Sequence, residues 1–190
     1  RVDPAAGVWH TEDDYEDNDA IRLASKNGHL EVVKLLLADE RVDPAAGDND
    51  AIRLASENGH LEVVKLLLAD SRVDPADDDN DAIRWASKNG HLEVVKLLLA
   101  DKRVDPTAEN NWSIAWAIAK ASQNGHSEVV KLLLKDSRVD PAAGGNEAIR
   151  WASYYGHLEV IKLLLAVESL NPADDDNWAI RSASENGHTE

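Results

Sequence analysis

The chain has 190 residues, enough for one large domain or one repeat array, and carries 36 acidic against 20 basic residues, a net charge of −16. That balance argues against a nucleic-acid ligand, which needs clustered Lys and Arg, and against an anionic membrane surface, while it permits a basic partner. Cysteine is absent, which excludes a disulfide framework, a thiolate nucleophile and a thiolate zinc site; the compartment is left open, with an intracellular one favoured.

The first seventeen residues, RVDPAAGVWHTEDDYED, have no apolar signal core, and no later apolar run approaches the ~20 residues of a membrane span. RVDP at residues 1–4 recurs downstream and reads as the tail of an earlier unit. Relative to its later copies, this connection is longer by nine residues, VWHTEDDYE at 8–16. That segment either folds over the end of the stack through Trp9 and Tyr15 or projects as an arm.

From residue 17 the chain repeats. A Gly-His pair recurs with its Gly at 28, 59, 90, 125, 156 and 187, at spacings of 31, 31, 35, 31 and 31. The Pro of the connection returns at Pro44, Pro75, Pro106, Pro141 and Pro172. These markers divide a single array over 1–190 into a partial tail with an acidic insertion (1–16), units at 17–47, 48–78, 79–109, 110–144 and 145–175, and a truncated sixth at 176–190.

Each unit reads as two short helices. The first begins near an Asn (Asn18, Asn49, Asn80, Asn146, Asn177), whose side chain suits an N-cap, and ends at Asn-Gly, where Gly accepts a left-handed turn. The second, HLEVVKLLLAD in the first three units, sets Glu31 early and Lys34 later, as the helix dipole favours. Its apolar positions Leu30, Val32, Val33, Leu35, Leu36 and Leu37 cover too much of its surface for a helix buried on one side, so neighbouring units must cover the rest. The connection then turns at Asp-Pro, with Val42 as a buried anchor.

The fourth unit departs at residues 110–126, NNWSIAWAIAKASQNGH, with four extra residues, no Arg at the usual place, and two Trp. Four residues are close to one helical turn, about 6 Å of axis, so the insertion nearly preserves phase. It predicts a first helix one turn longer than its neighbours, with Trp112, Trp116, Lys120 and Gln123 on one face.

The unit AIRLASKNGHLEVVKLLL resembles the ankyrin repeat, with its "TPLHxAA" start, "GH" turn and "EVVKLLL" second helix, in six in-phase copies over nearly the whole chain. The resemblance implies an all-α, ankyrin-type solenoid of stacked helix-turn-helix repeats, with the first helices lining a concave groove that binds protein partners. The departures are Asp-Ala for the family's Thr-Pro, Arg for its His, and a period of 31, as in expanded arrays of protists and large DNA viruses. The shortening falls in the connection, so the family's projecting hairpins are expected to shrink to simple turns.

Comparison between units separates scaffold from site. His29, His60, His91, His126, His157 and His188 fill one slot each, so they read as structural rather than metal-binding or catalytic; Arg22, Arg53, Arg84, Arg150 and Arg181 read as donors between units. Counting back from each Gly, three positions vary. They hold Asp19, Asp50, Asp81, Trp116, Glu147 and Trp178; Leu23, Leu54, Trp85, Lys120, Trp151 and Ser182; and Lys26, Glu57, Lys88, Gln123, Tyr154 and Glu185. Their spacing puts them on one stripe of the first helix.

The partner-binding candidates are therefore Trp85, Lys88, Trp112, Trp116, Lys120, Gln123, Trp151, Tyr154, Tyr155 and Trp178, since Trp and Tyr dominate binding hot spots. For Trp85 and Trp151 a packing role, as an enlarged Leu, stands equally well. The acidic segments ADDDND (76–81) and ADDDNW (173–178), with Glu109, supply a solvated rim without calcium-hand spacing.

These features favour a non-enzymatic protein-binding module for a basic or mixed basic-apolar segment, since rings hold a cation and carboxylates steer it. Alternatives are a carbohydrate or other small ligand on the same Trp residues, or a purely structural spacer, with end-to-end self-association through uncapped units. No nucleophile motif, phosphate loop, metal set or cofactor motif is present.

Overall fold

The computed structural model describes residues 18–106, 112–142 and 145–188, and every regular element among them is a helix. In chain order these are α1 (Asp19–Lys26), α2 (Leu30–Leu37), α3 (Ala46–Glu57), α4 (Leu61–Leu68), α5 (Asp77–Lys88), α6 (Leu92–Ala100), α7 (Trp112–Gln123), α8 (Ser127–Leu133), α9 (Glu147–Tyr155), α10 (Leu158–Leu165) and α11 (Asp174–Glu185). Odd-numbered helices stack on one another in one layer, even-numbered helices in a second, and each odd helix packs on the even helix that follows it. The connections are turns, without strands among the described residues. The acidic insertion at 8–16, with Trp9 and Tyr15, and Glu109 lie outside the described residues.

The second helices show why a single unit is insufficient. The same eight residues, LEVVKLLL, form α2, α4 and most of α6. Val63 in α4 and Val94 in α6 are 2% and 1% exposed, whereas the equivalent Val32 in α2 is 46% exposed. Composition is identical; only the flanking unit differs, so stacking buries the helix. Leu67, Leu98, Leu133 and Leu164 form the fully buried spine of this layer. The connection anchors vary more: Val73 and Val104 are buried, whereas Val42 and Val139 are only partly so.

The Gly-His pairs are inter-unit clasps. His60 Nε2 donates to the Lys26 carbonyl at 2.9 Å, His91 to Glu57 at 2.9 Å, His157 to Gln123 at 2.9 Å and His188 to Tyr154 at 3.1 Å. A carbonyl only accepts, so the proton sits on Nε2. Each ring also lies over the Gly of the preceding unit: a Cβ built on Gly59 would sit 2.5 Å from His91 Nδ1, and its φ of +74° is left-handed. The pair therefore needs Gly for conformation and for space.

The Asn residues correct an expectation. Regular helix does begin beside them: Asp48–Asn49, Asp78–Asn80 and Asp175–Asn177 are left-handed, and right-handed turns follow. Yet none of these side chains caps its own helix. Asn18 Oδ1 accepts from Asp43 N at 2.8 Å, Asn49 Oδ1 from Asp74 N at 2.8 Å, and Asn49 Nδ2 donates to Asp77 at 2.6 Å. The amide reaches the connection ahead of it both from Asn49, which is left-handed, and from Asn18, whose φ is −109°, so the forward bond does not depend on the left-handed turn.

A second clasp lies in the connection. Asp70 accepts from the Arg72 backbone and guanidinium; Arg72 in turn donates to the Val42 carbonyl at 2.9 Å. Arg103, held by Asp101, donates to Val73 at 2.8 Å and Leu68 at 3.0 Å. The repeated Asp-x-Arg was visible in the sequence, but its partners lie about thirty residues away, so its role was not.

Candidate aromatic binding face

Helix α7 positions the centre of the site. Its twelve residues are regular helix throughout, against eight in α1 and eight after the left-handed turn of α5. The insertion is thus one added turn, and its buried face (Ile114, Ala117, Ile118 and Ala121) remains in register with the stack.

On the opposite face the stripe forms one connected row. Trp85 of α5 meets Trp116 of α7 edge to face at 6.0 Å between centroids. Trp151 of α9 contacts Trp178 of α11 at 6.3 Å, and Tyr154 stacks on Trp178 at 6.3 Å. Tyr155 packs against Tyr154 at 4.9 Å and Trp151 at 6.2 Å. Lys120 Nζ joins the two halves, 5.7 Å from the Trp116 ring and 5.7 Å from the Trp151 ring. It also donates to Gln123 Oε1 at 3.1 Å. Trp112, at the start of α7, is 47% exposed, and Tyr154 and Tyr155 are exposed beside it in kind. The ten sequence candidates therefore lie in one row or directly on it.

Trp116 and Trp178, in the slot that holds Asp or Glu in the other units, are half-buried, with the Arg of the preceding unit on each. Arg84 is 4.6 Å from the Trp116 centroid and 4.9 Å from that of Trp112; Arg150 is 4.7 Å from Trp178. In the first unit the same slot holds an ion pair, Arg22 Nε to Asp50 at 2.9 Å. Trp thus replaces Asp as the Arg partner, exchanging a Coulombic contact for a cation–π one. Arg84 and Arg150 belong to the site, and the sequence signal was Trp one unit beyond a retained Arg. The inter-unit role expected for Arg22 holds, whereas Arg53 pairs within its own unit, to Asp50 and to Glu57 at 3.5 Å.

Electrostatics vary along the row. Asp81 is pushed above the ordinary carboxylate range by burial, against the pull of Arg84 and with repulsion from Asp78 added. Arg84 still donates to it at 2.8 Å. No group of His, Asp or Glu suited to a metal ion occurs among the described residues. A hollow of about 540 Å³ lies away from the row, between α10 and α11 around Leu158, Ile161, Leu165 and Ile180.

The helices form a two-layer solenoid with a variable face, and the His clasp recurs between successive units. The family described as Ankyrin repeats (3 copies) matches residues 21–110 and 117–190, and the chain belongs to it. The interval between the matches, 111–116, contains the added turn of α7. Ankyrin repeats generally mediate protein–protein interaction and are typically non-enzymatic. None of the curated proteins compared with the chain matches it. Among the described residues no helix is long and apolar enough to cross a membrane.

Proposed function

We propose that this chain is a non-enzymatic protein-interaction module that engages a segment of its partner on the first-helix face. The contact residues are Trp85, Lys88, Trp112, Trp116, Lys120, Gln123, Trp151, Tyr154, Tyr155 and Trp178. The observation that supports this most is the continuity of the row: rings from four consecutive units touch or share a cation. Apolar aromatic area held rigid in this way loses little entropy on binding. The acidic turns at 77–79 and 174–176 form the rim. A carbohydrate reading draws on the same rings, but several of their faces already carry the chain's own cations.

The test is affinity selection of short peptides on the intact array, followed by titration against Trp116→Ala and Trp151→Ala. Loss of affinity by about tenfold or more is expected at a hot spot. Selected peptides that bind both variants as tightly as the parent would remove the row from consideration.

A further inference from the structure

The row carries four cations. Lys88 Nζ stands 4.2 Å from the Trp85 centroid, Lys120 Nζ lies between Trp116 and Trp151, and Arg84 and Arg150 cover Trp116 and Trp178. Two of them are neutralised locally: Arg84 by Asp81 at 2.8 Å, and Arg150 by Asp175 at 3.5 Å. Among the described residues neither Lys88 nor Lys120 has a carboxylate partner; Lys120 has only the neutral amide oxygen of Gln123. On the second helices, by contrast, Lys34, Lys65 and Lys96 each pair with a Glu one turn back, at 2.5, 2.6 and 2.6 Å. In a chain of net charge −16, two uncompensated ammonium groups flank the Trp85–Trp116 pair.

This arrangement bears on the sign of the partner. A Lys or Arg from a basic segment would approach ring faces that already hold a cation, and would meet like charge at each. A carboxylate would find two ammonium groups with no carboxylate partner among the described residues and form charge-assisted hydrogen bonds with them. We propose that the row takes an acidic, apolar protein segment, its carboxylates on Lys88 and Lys120 and its apolar side chains against Trp112, Trp116, Tyr154 and Tyr155. This rests on the reading that the row is the binding face, and it reverses the charge that the acidic composition alone suggests. The net negative charge does not forbid it. At physiological ionic strength fields between exposed charges fade over about 8 Å, so the lysines in contact decide.

Two labelled synthetic peptides, one alternating Glu with Leu and one alternating Lys with Leu, are titrated against the intact chain by fluorescence anisotropy. The Glu peptide is expected to bind at least about tenfold more tightly, the scale of one or two charge-assisted contacts. The double variant Lys88→Glu/Lys120→Glu, with its fold checked by circular dichroism against the parent, should reverse the order. If the Lys peptide binds more tightly and Trp116→Ala abolishes that binding, the row is the site and the acidic assignment is wrong. If Trp116→Ala and the double charge variant both leave every measured affinity unchanged, the row itself is not the site. If neither peptide binds while selected peptides depend on Trp116, their net charge decides: acidic supports the assignment and basic overturns it.

Discussion

Gly59 and His91 show how closely the units are clasped. Replacing Gly59 by Ala places a methyl 2.5 Å from His91 Nδ1 on a backbone with φ of +74°. The left-handed strain costs about 1–2 kcal/mol and a displaced His91 bond about 1 more, so urea denaturation should show a loss of roughly 2–3 kcal/mol. Serine gives the opposite sign. Ser25, Ser56, Ser87 and Ser122 are completely buried, and no Oγ among them has a hydrogen-bond partner. The small side chain lets successive first helices approach, but the hydroxyl is desolvated without return. Ser87→Ala should therefore stabilise the array by about 1 kcal/mol, read as a raised urea midpoint; a destabilised variant would mean the hydroxyl is bonded.

At the scale of elements, α7 tests the argument about phase. Removing residues 113–116 leaves Asn-Trp-Ala-Ile, the start already present at 177–180. Four residues turn a helix by about 400°, only some 40° past a full turn, so this variant should fold, with circular dichroism and a single cooperative transition like the parent. Removing only 113–114 takes away buried Ile114 and rotates Trp112 and the connection before it by about 200° relative to the packed remainder, so it should lower the urea midpoint and weaken the cooperative transition. Equal behaviour of the two deletions would show that the buried face of α7 does not set its register.

Across the whole molecule, stability depends on pH in two windows. Burial against its neighbours holds His126 below its ordinary pKa of 6.5; the charges of His91 and His157 act the same way, while the bond to the Lys88 carbonyl opposes them. The unfolded chain therefore binds a proton that the folded chain refuses, and stability falls as pH drops below about 6.5. The second window is acidic. Hydrogen bonds from Arg72, Arg103 and Arg138 hold Asp70, Asp101 and Asp136 below the usual carboxylate range. Their contribution is present above the unfolded carboxylate pKa, about 4, and is lost as pH falls through the lower folded value. Asp81 runs the other way: its folded pKa is raised, so its contribution exists at low pH and disappears as pH rises. Urea midpoints measured from about pH 8 to pH 3 should show both declines, and His126→Gln should flatten only the first.

The period, the two helices per unit and the stripe were all legible in the chain. Periodicity reports which positions every unit must share, and a helix projects residues three and four apart onto one face. The extra turn of α7 was legible for the same reason, since four residues match a turn. What required the tertiary structure were relations between units. The Asn side chains reach the connection ahead rather than their own helix; the Asp-x-Arg clasps find carbonyls of the preceding unit; and Val32 and Val63, identical in local sequence, end with opposite exposure. The cation contacts on the row were hidden likewise: Arg84 looks structural until Trp116 is placed 4.6 Å away, and Lys88 and Lys120, though legible as candidates on the stripe, did not show in sequence that they lack carboxylate partners among the described residues. Local sequence determines the conformation and facing of a segment. Which side chain meets which depends on contacts about thirty residues apart, and only the stacking of one unit on the next sets those distances.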